Sequence, residues 1–180
     1  TVKIENAKVI SKNAPVNAII ASSEGYAGGI IGVSKATTTL NNITTDSLCI
    51  AGKSGAGGLI ANATSTVRIE NAKVIGINAA IFAEQDAGGL IGSYTSQLDV
   101  SNSAVSAFIE SSEGNAGGLI GTMPGNTATL IEKSYYGGRT VAGAYGTYTL
   151  NADTGNEKVY EANISGGENA GGLIGSIGND

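Results

Sequence analysis

Histidine is missing from this 180-residue chain, and so is tryptophan. Without an imidazole there is no H-E-x-x-H zinc motif, and a cysteine nucleophile has no His partner. Cysteine occurs once, as Cys49 in Leu48-Cys49-Ile50. That apolar, strand-like setting predicts a buried small hydrophobe, not a reactive thiolate. Only 2 prolines are present, which excludes collagen and Pro-rich linkers. Only 2 phenylalanines are available, Phe82 and Phe108, so a core must come from Ile, Leu, Val and Ala. Basic residues total 10 against 15 acidic ones, for a net charge of −5, and they form no cluster. Nucleic acid is therefore an unsuitable partner, because neutralising phosphates takes grouped Lys and Arg. No apolar run approaches the ~20 residues that a membrane span needs. No secretory leader is visible either, and Thr1-Val2-Lys3-Ile4 already lies inside a repeat. The expectation is a fragment whose targeting segment lies elsewhere.

What is abundant is glycine, at 28 residues, together with Thr, Val, Ile, Asn and Ser, a balance that favours strands and turns. The glycines are patterned. AGGIIG occupies 27–32, AGGLIA 56–61, AGGLIG 87–92, AGGLIG 116–121 and AGGLIG 170–175, with starts 29, 31, 29 and 54 residues apart. A glycine run can cradle a phosphate, but a nucleotide site is built once per domain, whereas five copies at a near-constant period mark a repeat architecture. The recurring pairs Gly28/Gly29, Gly57/Gly58, Gly88/Gly89, Gly117/Gly118 and Gly171/Gly172 are read as structural, through positive φ or close backbone approach.

Other segments repeat with them. Thr1–Ile10 recurs as Thr66–Ile75 with one Lys/Arg exchange, and LNNITTDSLCIAGKSGAGGLIA (40–61) aligns without gaps over VSNSAVSAFIESSEGNAGGLIG (100–121). The units run about 1–35, 36–65, 66–96, 97–126 and 127–180, read as one repeat domain. Each reads in three pieces. The first alternates, as in Val67-Arg68-Ile69-Glu70, and ends at a corner residue, Asn6, Asn41, Asn71 or Asn102. The second is a short apolar run such as Ala79–Ala83, and the third is the glycine hexamer. Three short strands per ~30 residues predict an all-β parallel solenoid of five to six coils, each burying an inner face only by stacking on its neighbours.

The G-G-[LI]-I-G core resembles the GLUG motif of bacterial surface and secreted proteins, including IgA-cleaving metallopeptidases and adhesins. All five units carry it; Ala61 departs from the final Gly, and Ile30 from the Leu. The resemblance implies a non-catalytic repeat region on the cell surface or outside the cell, next to further repeats or domains of a parent chain. It carries over no catalytic residue, metal or cofactor. A rigid spacer or adhesin stalk is the leading expectation.

The 54-residue gap adds about 24 residues to one period, near 137–162. Thr147–Leu150 and Glu157–Tyr160 flank an Asp/Gly/Asn loop and read as a β-hairpin, with a degenerate sixth coil as the competing reading. Tyr135, Tyr136, Tyr145, Tyr148 and Tyr160 fall here, with Arg139 and Lys158 as polar partners. One reading is a patch for a host glycan or protein; the other is cross-strand pairing that only stabilises the sheet. A carbohydrate-active enzyme is the third reading, resting on the recurring acids Glu5/Glu70 and Glu24/Glu113. A retaining pair needs carboxyls ~5–5.5 Å apart. Asp86, Asp153 and Asp180 are scattered and outside the hexamers, so no calcium or other metal is expected.

Overall fold

A computed structural model describes residues 1–11, 18–75, 79–137 and 164–178. The chain is an all-β parallel solenoid. Its first rung contains β1 (Val2–Glu5), β2 (Lys8–Ile10), β3 (Ala18–Ser22), β4 (Tyr26–Gly28) and β5 (Ile31–Ser34). The same five positions recur from β6 (Thr38–Asn41) to β10 (Ile60–Ala63), from β11 (Val67–Glu70) to β15 (Ile91–Tyr94), from β16 (Leu98–Ser101) to β20 (Ile120–Pro124), and from β21 (Thr129–Glu132) to β25 (Ile174–Gly178). Like positions stack into five parallel sheets of five strands, here called A to E in chain order. The chain returns to sheet A after about four turns. That lies just below the five to six coils expected, and each rung carries five strands where the sequence suggested three. The alternating piece continues past its corner into sheet B, and the hexamer bends midway and so serves sheets D and E.

Register is strict. Ile4, Leu40, Ile69, Val100 and Ile131 form one column of sheet A, and Ile31, Ile60, Ile91, Ile120 and Ile174 one column of sheet E. Leu40, Leu59, Ile60, Ile69, Leu90, Ile91, Leu98, Ile109, Leu119 and Ile120 are wholly buried. Parallel pairing superimposes identical positions, so an apolar residue kept at one position of the period becomes a continuous core. Among the described residues no buried side-chain polar atom lacks a partner. Ser34 and Thr38, for example, share a hydrogen bond of 2.6 Å inside the rod.

The corner between sheets A and B is a column of left-handed residues: Asn6, Asn42, Asn71, Asn102 and Lys133, with φ of 54°, 54°, 55°, 48° and 48°. The sequence placed this corner at Asn41, but Asn41 ends its strand opposite Glu5 and Glu70. Side-chain amides also bridge rungs here, Asn42 Nδ2 donating to Asn6 Oδ1 at 2.7 Å and Asn71 Nδ2 to Asn41 Oδ1 at 3.2 Å. Asn tolerates this backbone because its side chain hydrogen-bonds locally, whereas a branched Cβ clashes. Asn71→Val should therefore cost about 1–2 kcal/mol, with Asn71→Gly close to neutral, as read from urea unfolding midpoints.

Variation in rung length collects at the corner between sheets B and C. Ser47 alone separates the two strands on the second rung and Ser106-Ala107 on the fourth, whereas in sequence 11–17 intervene between β2 and β3 and 137–163 between β22 and β23. The hairpin or sixth coil expected near 137–162 lies outside the described residues, apart from Gly137.

Candidate functional site

The glycine pairs occupy a wall where backbone packs on backbone. None has a left-handed φ, so of the two roles open to them the close approach is the one used. A Cβ on Gly88 would overlap the Ile91 carbonyl oxygen and lie 2.7 Å from Gly121 N; on Gly117 it would overlap the Ile120 oxygen and lie 2.6 Å from Gly175 N. Gly28, Gly57 and Gly171 meet the corresponding carbonyls. The third-position glycines face the next rung instead. A Cβ on Gly29, Gly58, Gly89 or Gly118 would overlap the carbonyl oxygen of the equivalent glycine one rung on. Their N–H groups are taken by that rung: Gly58 donates to Gly88 O at 3.2 Å and Gly118 to Gly171 O at 3.0 Å. The final position admits a Cβ at Ala61, which is fully buried, but on Gly92, Gly121 and Gly175 a Cβ would lie 2.6, 2.5 and 2.6 Å from a backbone oxygen.

Of the Tyr-rich candidates, the described residues include Tyr135 and Tyr136; Arg139, Tyr145, Tyr148, Lys158 and Tyr160 lie outside them. The two tyrosines take opposite roles because successive strand residues point to opposite faces. Tyr135 is 62 % exposed. Tyr136 packs against the core, and its hydroxyl donates to Ala107 O at 2.9 Å. Burial pushes the Tyr136 phenol up to about 12, from a model-compound value of 10.0. The protonated phenol is thus the form that the fold favours. Its contribution to stability is complete below about pH 10 and is lost as pH rises through about 12. Tyr136→Phe should remove a hydrogen bond worth about 1 kcal/mol at neutral pH. Between pH 10 and 12 the wild type should lose more stability than the variant, in paired unfolding curves.

A shallow trough of about 430 Å³ lies on the outer face of sheet C, a feature the sequence did not single out. Ala21, Ala51, Phe82 and Glu110 form one column across it, with Ser22, Lys53, Glu84 and Ser112 around it. The sequence read Ala79–Ala83 as one apolar run. In the fold it alternates: Ile81 is 1 % exposed in the core, and Phe82 is half-buried on the outside, its ring 5.6 Å from that of Phe108. Cys49, expected to be buried, is half-buried, and the alternation of its strand places Leu48 and Ile50, not Cys49, in the core. Desolvation raises its thiol pKa, so it is a poor nucleophile there.

The recurring acids do not meet. Glu5 and Glu70 share a column of sheet A on non-adjacent rungs, with Asn41 between them and about 10 Å separating their backbones. Glu24 and Glu113 sit on the first and fourth rungs; Glu24 lies 3.6 Å from Lys53 Nζ, and Glu113 accepts from Gln85 Nε2 at 3.1 Å. Asp86 accepts from Thr122 Oγ1 at 2.6 Å and Asn115 Nδ2 at 3.2 Å, a polar ladder that Asn169 Nδ2 continues onto Asn115 Oδ1 at 2.6 Å. Among the described residues no group of three or more Cys, Asp and Glu converges on a metal-sized site. Among the described residues no helix is long and apolar enough to cross a membrane. No family model, no curated protein and no solved structure matches the chain.

Proposed function

We propose that this chain is a non-catalytic repeat module of a bacterial cell-surface or secreted protein, acting as a rigid spacer or adhesin stalk. The observation that supports this reading is the uninterrupted hydrogen-bonded stack around one core. Sheets A to E each pair in register through all five rungs. Such a rod grows by ~4.8 Å per rung, so five rungs hold a neighbouring domain about 24 Å away, and added rungs extend the reach linearly. The resemblance of the hexamers to the GLUG motif supplies the bacterial surface setting.

The test is a display experiment. The chain is placed between a surface anchor and a nanobody on a bacterial cell, and antigen capture by crowded cells is compared with that of a directly anchored nanobody. Capture should rise with the chain present and rise less with a Gly/Ser segment of equal residue number. Equal capture in all three would reject the spacer.

A second reading makes the chain a binding module for a host glycan or protein, through the Tyr-rich stretch 135–160. The exposed ring of Tyr135, the first residue of that stretch, favours it. Binding on a glycan array that is lost with Tyr135→Ala and Tyr145→Ala would establish this reading in place of the spacer. Binding that survives both substitutions would remove it.

A further inference from the structure

Both phenylalanines of the chain stand on sheet C, in the columns on either side of the inward Ile50, Ile81 and Ile109. The repeat does not ask for them. At the position of Phe82 the other rungs carry Ala21, Ala51 and Glu110. Phe108 is 4 % exposed and backs the Phe82 ring at 5.6 Å, which holds that ring in place at the trough it lines. Small residues, Ala21, Ala51 and Gly52, keep the floor low beside it. Charge around the trough is lopsided. Three charged residues line it, and Lys53 is already met by Glu24 at 3.6 Å. Among the described residues neither Glu84 nor Glu110 has a cation within ion-pair distance. Glu110 is the register partner of Phe82, so a carboxylate and an aromatic ring arise about 4.8 Å apart at the backbone.

We infer that this trough binds an organic cation, an alkylammonium group whose carbons pack on Phe82 and the alanine floor and whose charge is met by Glu84 and Glu110. The negative face of an aromatic ring attracts a cation, and an alkylated one also gains from burying its methyl groups there. Other ligand classes fit less well. A neutral apolar ligand would cover the two carboxylates without pairing them, which costs free energy. An anion would be repelled by them. A metal ion would lack ligands, since among the described residues no three acidic groups converge. The site rests on the outer face of sheet C and not on the spacer reading, so either can fail alone.

Amide resonances of Ala51, Phe82, Ala83 and Glu84 in isotope-labelled protein test this. The probes are choline and its uncharged isostere, in which a tert-butyl group replaces the trimethylammonium, titrated at constant ionic strength. The wild type should show saturable shifts at the trough with millimolar choline and prefer it to the isostere by about fivefold or more. Glu84→Gln combined with Glu110→Gln should bring that preference close to unity, and Phe82→Leu should weaken choline binding about threefold. Glu84 is exposed and Glu110 and Phe82 are half-buried, and the preference is a ratio read within one variant, so a loss of stability does not imitate it. No saturable shift at the trough, equal binding of both probes by the wild type, or a preference that survives removal of both carboxylates would overturn the proposal.

Discussion

Gly117→Ala should remove a large share of the stability of this protein, although it adds one methyl group. The new Cβ would overlap the Ile120 carbonyl oxygen and stand 2.6 Å from both the Ile120 carbonyl carbon and Gly175 N. All three are backbone atoms of hydrogen-bonded rungs, so no rotamer change relieves the contact. The whole wall must move. The expected loss is roughly 4 kcal/mol or more, in the range that calls for a named mechanism, against a typical total of about 5–15 kcal/mol. Gly88→Ala, with the same environment one rung earlier, should behave alike. Gly172→Ala is the internal control, because the space around it is empty, and its midpoint in urea should match the wild type. Equal midpoints for Gly117→Ala and Gly172→Ala would show that the wall is not packed as described.

The second large effect belongs to Leu90→Ala. Leu90 is wholly buried between Leu59 and Leu119, all three at 0 % exposure. The rungs on either side are held at fixed spacing by their hydrogen-bond ladders, Leu59 N–H to Leu90 O at 3.0 Å and Leu90 N–H to Leu119 O at 2.8 Å. A cavity there cannot close by bringing the rungs together, so the loss should reach the upper part of the 2–5 kcal/mol range for such truncations. Leu173→Ala removes the same atoms from a half-open rung end and should cost clearly less. The gradient from the middle of the rod to its end is the diagnostic result. A uniform cost along the leucine column would mean that the rungs do not share one core.

The period, the apolar columns and the structural role of the glycines could be read in the sequence, because parallel stacking in register forces each rung to repeat the chemistry of the one before. The number of strands per rung could not. Strands of two to five residues, such as Ala104–Val105, carry too few alternations to separate a strand from the corner beside it. The corner in Asn41-Asn42 shows the limit closely. Two identical side chains adjoin, and only φ, 54° at Asn42, distinguishes the corner from the strand end. Lys133 takes the same corner on the fifth rung with no sequence signal at all. The trough was hidden for a related reason. In Ala80-Ile81-Phe82-Ala83 the outward residue is as apolar as the inward one, so the run has no visible period. The half-buried Cys49 fits this too, lying between Leu48 and Ile50 in an all-apolar stretch.

The central claim is that hexamer-bearing rungs lie directly over one another in parallel register, and paired cysteines measure this most directly. In a chain with Cys49→Ser, Asn62 and Ser93 are register partners on adjacent rungs, and Ser93 pairs in turn with Thr122. Backbone spacing is then about 4.8 Å for Asn62 and Ser93, within disulfide range, and about 10 Å for Asn62 and Thr122, beyond it. Under mild oxidation the Asn62→Cys/Ser93→Cys pair should close a disulfide in the native protein, and the Asn62→Cys/Thr122→Cys pair should remain reduced. Closure of the second pair in preference to the first, or equal closure of both, would contradict the stacked register and the architecture built on it.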